Sequence, residues 1–311
     1  MNINVTDEDI QAIEDVARAT VRWPDRRRWD SSEKDARFKS LFGASSLIIA
    51  EIWYRIEETV SLEDTNAERK HLLWALVFLK VYATEEIHCA IVGWPSAETF
   101  RKYSWYFIKK IFDLEDEVIV WHSRFDGQPD LEDLEHDCMI SVDCLDCPCS
   151  EKFPASPDMF SSKFNGPGIK YEVGCCIKTG FIVWINGPFP AGNSEKTIFR
   201  EGLLTKLEDW ELVECDTGLR GVEHARIPEH GLTDGERKQK SQIRGRHENV
   251  NGKLKVYNVL GAYFHHHSGR DREVMFEKHA ICFGAVSVIT QLKLFTGDDV
   301  LYDVEYDVHY S

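Results

Sequence analysis

Three carboxylates lie far apart in this 311-residue chain at positions suited to chemistry. Asp143 closes the stretch SVD, Asp216 closes ELVECD just before Thr217 and Gly218, and Glu248 sits inside RGRHENVNGKLK, Arg244 to Lys255. Both aspartates come where an extended run hands over to a turn, and ligands on open sheets gather at strand ends. Two ionised aspartates on neighbouring strand ends repel and raise each other's pKa unless a cation neutralises them. Magnesium suits that arrangement, because it takes a few carboxylates together with waters and substrate phosphates. The plainer alternative is that each aspartate only forms its turn.

Glu248 lies in the most basic part of an otherwise acidic chain. From Asp234 to Lys255 the Lys and Arg residues are Arg237, Lys238, Lys240, Arg244, Arg246, Lys253 and Lys255, against three acids, Asp234, Glu236 and Glu248. Ile243, Val250, Leu254 and Tyr257 form one apolar stripe on a helical wheel. Glu248 falls on the polar side with Arg244, Asn251 and Lys255. Such a helix can pack its stripe on a sheet and aim Glu248 at the strand ends. An exposed i,i+4 ion pair between Arg244 and Glu248 is the competing reading.

Other chemistries find less support. Cys144, Cys147 and Cys149 have C-x-x-C-x-C spacing, with Cys138 upstream and the histidine run 265–267 downstream. A second C-x-x-C, which structural zinc usually requires, is missing. No GxSxG elbow or local Cys–His signature is present. Cys175 and Cys176 read as small buried hydrophobes in a strand. Nine cysteines, an odd number, fit a reducing compartment better than a disulfide framework. The acidic start MNINVTDEDI lacks a signal-peptide core, so an intracellular protein of nucleus or cytoplasm is expected. No membrane association is expected either, the run LLWALVFLKVY being broken by Lys80. A formal charge of −16 argues against non-specific coating of nucleic acid, so a polyanion would have to be met at local basic patches such as RWPDRRRW and the Glu248 helix.

The elements that must position the acids follow from patterning. Up to about residue 125 the chain reads as helical, with NAERKHLLWALVFLKVY at helical spacing and a second helix after Pro95 capped by Ser96. The connection TEEIHCAIVGW between them invites a helix-turn-helix, its second helix presenting Arg101, Lys102, Lys109 and Lys110. CMISVDC alternates, and KYEVGCCI, the turn KTG and FIVWING form a hairpin. A helix SEKTIFREGLLTKL, the strand ELVEC, the Glu248 helix and the apolar FEKHAICFGAVSVITQLKLF complete an α/β or α+β order on a mixed sheet.

Taken together in order, SVDC, KYEVGCCIKTGFIVWINGPFPAG, IFREGLL, ELVECDTG and RHENVNGKLK resemble the DDE-type nuclease domain of Harbinger/PIF-like transposases and proteins derived from them. LLWALVFLKVYATEE looks like the helix-turn-helix region preceding that domain, so the likeness runs from about residue 37 to near the C-terminus. It implies an RNase H-like mixed sheet with flanking helices over 126–311, preceded by a helical, helix-turn-helix-like region over 1–125. It further implies that Asp143, Asp216 and Glu248 are the catalytic and metal-binding triad for Mg²⁺ or Mn²⁺. The implied reaction is metal-dependent cleavage of DNA phosphodiesters, with strand transfer as an extension. Arg244, Arg246, Lys253 and Lys255 would hold phosphates, setting position rather than sequence. A separate DNA-binding partner and a homodimer would suit such chemistry. Cys144 stands where the family usually has glycine, Leu219 where it has an aromatic and Glu195 where it has Asp; the triad itself is intact. A silent descendant serving as a DNA- or protein-binding factor is the alternative.

Overall fold

The computed structural model describes residues 3–23, 30–63, 66–126, 138–150, 156–227, 233–265 and 272–298. Most of the basic knot (24–29) and the histidines at 266–267 lie outside the described residues. The chain divides into two compact units. The described residues of the first run to Val118 and then take Leu254–Ala262 and Ile281 onward; the second takes Ile119–Lys253 and Tyr263–Ala280. The division therefore falls at Val118 rather than at 125, and the first unit is not continuous in sequence. Two segments expected with the nuclease part belong to the helical one.

The helical unit begins with α1 (Asp7–Thr20), α2 (Ser31–Phe42), α3 (Ser46–Glu63), α4 (Arg69–Val81), α5 (Glu85–Ile91), α6 (Ala97–Phe112) and α7 (Glu115–Val118). Helix starts follow capping chemistry. Thr6 and Asp9 form a reciprocal capping box for α1, and Ser96 accepts from the Thr99 N–H at the start of α6, as its sequence predicts. Helix α4 is buried at every position from His71 to Leu79, so it is the unit's central helix rather than an amphipathic one. Helix α2 stops at Gly43, whose φ of +80° is left-handed and whose bare Cα accepts the ring of Tyr257 against it. The Tyr257 hydroxyl then donates to the Gly43 carbonyl over 2.7 Å.

The proposed helix-turn-helix connection contains a helix of its own, α5. The cations of α6 are largely matched by acids: Arg101 is bidentate to Glu85 at 2.6 and 2.7 Å, Lys109 meets Asp113 and Lys110 meets Glu63. A surface so neutralised is a poor electrostatic footprint for DNA.

The second unit is built on six strands: β1 (Cys138–Pro148), β2 (Phe160–Ser161), β3 (Gly166–Cys176), β4 (Ile182–Pro190), β5 (Leu212–Glu214) and β6 (Ala225–Arg226). Its helices are α8 (Glu195–Glu201) and α9 (Asp234–Lys255, to Lys253), while α10 (Asn258–Gly261) belongs to the helical unit. The strand order is β2-β3-β1-β5-β6, with β4 also paired to β3. β3 is antiparallel to β1 and β4, while β1, β5 and β6 run parallel, giving a mixed α/β sheet. The expected hairpin is β3–β4, turning through Lys178, Thr179 and Gly180, where glycine supplies a φ of +75°.

The last helix, α11 (Arg272–Thr296), departs from expectation. It is long and apolar enough to cross a membrane by length and composition, a feature the sequence patterning misses, but 78% of its apolar window is buried within the protein. Burial of that kind belongs to a core helix.

Glu115, at the start of α7, is half-buried, with its carboxyl against the open Cα of Gly284. Burial, helped by the neighbouring Asp116 charge, pushes its pKa up to about 7 from 4.5. A raised carboxyl pKa leaves stability intact below the unfolded value and erodes it as pH climbs through the folded one. Glu115→Gln should therefore stabilise the full chain against denaturant at pH 8 by up to about 3 kcal/mol and change nothing at pH 4. Equal effects at the two pH values would contradict this account of Glu115.

Candidate functional site

The site grows from one strand and one helix. β1 is central, and every residue from Cys138 to Leu145 is buried except Asp143. Ile140 and Val142 pack into a cluster with Val213, Cys215, Phe199 and Leu203, which holds one face of the strand down. The alternate positions Ser141 and Asp143 share the opposite face. There α9 crosses, and residues four apart on one helical face meet them. Ser141 Oγ pairs with His247 Nδ1 at 2.8 Å, and Asn251 Nδ2 donates to Asp143 Oδ2 at 3.1 Å.

Asp143 is not at the end of its own strand, as SVD implies. β1 runs on to Pro148, and Asp143 is paired with Val173. The end that matters is that of β5, whose pairing with β1 stops at Glu214 opposite Ser141. Asp143 thus emerges where the parallel neighbour has finished, and Asp216 follows two residues after that neighbour ends.

Asp143, Asp216 and Glu248 line one cleft of about 230 Å³, together with Ser141, Lys240, Arg244 and His247. All three belong to the same unit and face the same hollow. Their present contacts also satisfy the plainer readings. Asp216 caps a 3₁₀ turn, its Oδ1 accepting from Gly218 N–H at 2.7 Å, and Asp143 Oδ1 accepts from Cys144 N–H at 2.8 Å. Glu248 is 60% exposed and accepts from Arg244 Nε at 2.9 Å. Among the described residues no three His, Cys, Asp or Glu stand together closely enough to grip an ion as they are positioned.

A second, smaller hollow continues from Asp143 and Asp216 and is lined also by Glu172 and Glu195. Glu195 opens α8. Its pKa is raised, first by burial and further by the charges of Asp216 and Asp143, while Lys163 and Lys170 oppose the rise. A Cβ at position 218 would come within 2.7 Å of both Glu195 Oε2 and Asp216 Oδ1, so the glycine is what lets the two carboxylates approach the same turn. Burial would lower the pKa of Lys163, but the charges of Asp143, Asp146 and Glu195 outweigh it and hold this ammonium above the ordinary lysine range.

The basic candidates separate. Arg244 is exposed and lines the cleft. Arg246 is buried and donates to the carbonyls of Ile177 and Lys178 at 2.8 and 2.9 Å, so it anchors the helix to the β3–β4 turn and is not presented to a phosphate. Lys253 is half-buried, and the exposed Lys255 belongs to the helical unit. Lys240, which spacing did not single out, lines the cleft and pairs with Glu214 at 2.6 Å.

His247 was also missed. It is 4% exposed, and its Nε2 is buried with no hydrogen-bond partner among the described residues. Leaving such a ring nitrogen unpaired costs about 1–3 kcal/mol. Burial lowers its pKa, against the opposing pull of Asp143 and Glu248. The signal was present in the wheel, since 247 fills the gap between Ile243 and Val250 on the apolar stripe.

Among the described residues the cysteines join no group of ligands that could hold a metal ion. All nine are buried, and burial pushes up the thiols of Cys138 (to about 12), Cys144 and Cys215, so these three are not ready nucleophiles.

No family model, curated protein or solved structure matches this chain. The likeness to Harbinger/PIF-like transposases rests on the quoted segments alone.

Arg246 and Arg244 should behave oppositely on substitution. Arg246→Ala, which abandons two buried carbonyls, should lower unfolding stability by about 2–4 kcal/mol. Arg244→Ala, which removes an exposed i,i+4 pair, should cost only a few tenths of a kcal/mol. Denaturant titration of both variants decides it, and a silent Arg246→Ala would return that residue to the list of free surface cations.

Proposed function

We propose that this protein is a metal-dependent endonuclease acting on DNA phosphodiesters, with Asp143, Asp216 and Glu248 as its acidic triad. In this reading the mixed sheet is RNase H-like, and the acids come from its central strand, from the loop after the parallel neighbour and from the helix crossing them. The observation that carries the proposal is the convergence of these three residues, distant in sequence, on a single cleft. The donor set fits a divalent ion: hard carboxylates for Mg²⁺ or Mn²⁺, beside a buried ring nitrogen that lacks a partner among the described residues.

Bound ions would polarise the phosphoryl oxygens and supply an activated water at neutral pH. The chain's own residues do the rest. Arg244, the exposed cation of the cleft, draws the phosphate backbone towards its acids. A phosphate competing for the Arg244 guanidinium releases Glu248 from its ion pair, so arrival of substrate completes the acidic set. Asn251 keeps Asp143 oriented through Oδ2. With a DNA 3′-hydroxyl as attacker the same site would perform strand transfer. A nuclear or cytoplasmic location and a separate DNA-binding partner suit this activity.

The alternative, a catalytically silent DNA- or protein-binding factor, is favoured by one observation: Glu248 is already paired with Arg244. Plasmid nicking by the full chain with Mg²⁺ or Mn²⁺ decides between them. Asp216→Asn and Asp143→Asn should each reduce nicking by at least about 100-fold, while retaining the parent's circular dichroism. Nicking that is equal in Asp216→Asn and the parent would refute the nuclease reading. Absence of Mn²⁺ uptake by calorimetry, alongside DNA or partner binding, would establish the binder.

A further inference from the structure

Resting on the reading of this cleft as a divalent-metal site, we infer that His247 is a nitrogen ligand of that site and makes it selective for Mn²⁺ over Mg²⁺. The acids alone would not carry this claim, since carboxylates gather for many reasons. The histidine adds an independent observation.

His247 lines the same cleft as Asp143, Asp216 and Glu248, yet it is almost fully buried, and its Nε2 meets no hydrogen-bond partner among the described residues. Its other nitrogen is occupied, lying 2.8 Å from Ser141 Oγ. That is the arrangement of a metal-binding histidine, in which one ring nitrogen is held by a partner that fixes the ring's orientation and tautomer. With Nδ1–H donating to Ser141 Oγ, Nε2 carries the lone pair. A buried nitrogen acceptor left without a donor is what a cation would satisfy.

The placement is tied to the triad through the backbone. Ser141 and Asp143 share one face of β1, and His247 and Asn251 share one face of α9, so the contact that holds the imidazole is the neighbour of the contact that orients Asp143. Glu248 is the next residue on the helix. Although Glu248 and His247 point to different sides of α9, both line the cleft that holds Asp143 and Asp216.

The chemical consequence is selectivity. Oxygen-only sites suit Mg²⁺, whereas an imidazole ligand favours first-row transition ions, among which Mn²⁺ is the one that shares the preference of Mg²⁺ for carboxylate oxygen. Mg²⁺ also dehydrates reluctantly, so it gains less from exchanging a bound water for an imidazole nitrogen.

Pulsed electron paramagnetic resonance of the Mn²⁺-loaded full chain tests this without reference to activity. The parent should show a ¹⁴N coupling from imidazole that changes to the ¹⁵N pattern on ¹⁵N-histidine labelling. It should bind Mn²⁺ at least about 10-fold more tightly than Mg²⁺ by calorimetry. His247→Gln should lose the nitrogen coupling and weaken Mn²⁺ binding by about 10–100-fold, bringing the two metals closer together. Ser141→Ala should keep the coupling with a smaller loss of affinity. Mn²⁺ bound by the parent without nitrogen coupling would overturn the inference and leave the carboxylate site standing, whatever the folding of the variants. No Mn²⁺ bound by the parent at all would overturn the inference and the metal-site reading beneath it.

Discussion

The candidate site depends on how α9 lies across β1. A helix that packs on a sheet normally does so through apolar residues; Ile243 does so against Cys138 and Ile177, and Val250 is buried further along the same stripe. Between them the seam is polar, with His247 against Ser141 and Asn251 against Asp143. Polar pairs in a buried seam give less free energy than methyl groups would, but they are directional, and they set register. A slip of α9 by one residue would take both side chains off their partners. The seam therefore helps to set where Glu248 sits relative to Asp143, together with the Arg246 contacts to the β3–β4 turn.

β1 and β5 add the second constraint. Because the parallel neighbour is only three residues long, β1 continues beyond it with a bare edge at Asp143, and the chain leaving β5 turns at Asp216 beside that edge. The turn is closed by Asp216 itself and requires a bare Cα at Gly218, against which Glu195 also lies. Strand length, a side-chain cap and one glycine thus bring three acids from three elements to a common region. The fourth element, α9, brings Glu248 and His247.

Sequence patterning reaches much of this and misses particular things for physical reasons. The β3–β4 hairpin, the Ser96 cap, the strand before Asp216 and the long helix bearing Glu248 follow from alternation, capping chemistry and period. Asp143 is harder to place, because SVDCLDCP is buried on both faces and continuous burial hides where a neighbour strand stops. Arg246 and His247 defeat a wheel drawn from apolar residues alone: each occupies the buried side of α9, one paired to carbonyls and the other to a hydroxyl. Charge counted along the chain could not separate an anchoring arginine from an exposed one. Nor could it anticipate that α6 would meet acids from other helices. The segments 254–262 and 281–298 join the helical unit through contacts far apart in sequence, which no local pattern records.

The pairing of Arg244 with Glu248 bears on how an acidic protein could handle a polyanion. At −16 overall, the chain repels DNA at long range, and only local cations can invert that field. In the free protein, Arg244 and Lys240 lie in the cleft but are each neutralised, one by Glu248 and the other by Glu214. The two pairs are not equivalent. The Lys240–Glu214 pair is largely buried and would be costly to separate, since parting it strands charges away from water. The Arg244–Glu248 pair is exposed, holds by a few tenths of a kcal/mol and can exchange readily. Only the weaker pair can open in response to a phosphate, and opening it delivers both a free cation to the substrate and a free carboxylate to the cleft. The same ion pair that offers the plainest account of Glu248 is therefore compatible with a catalytic one, because its weakness is what a substrate-dependent site requires.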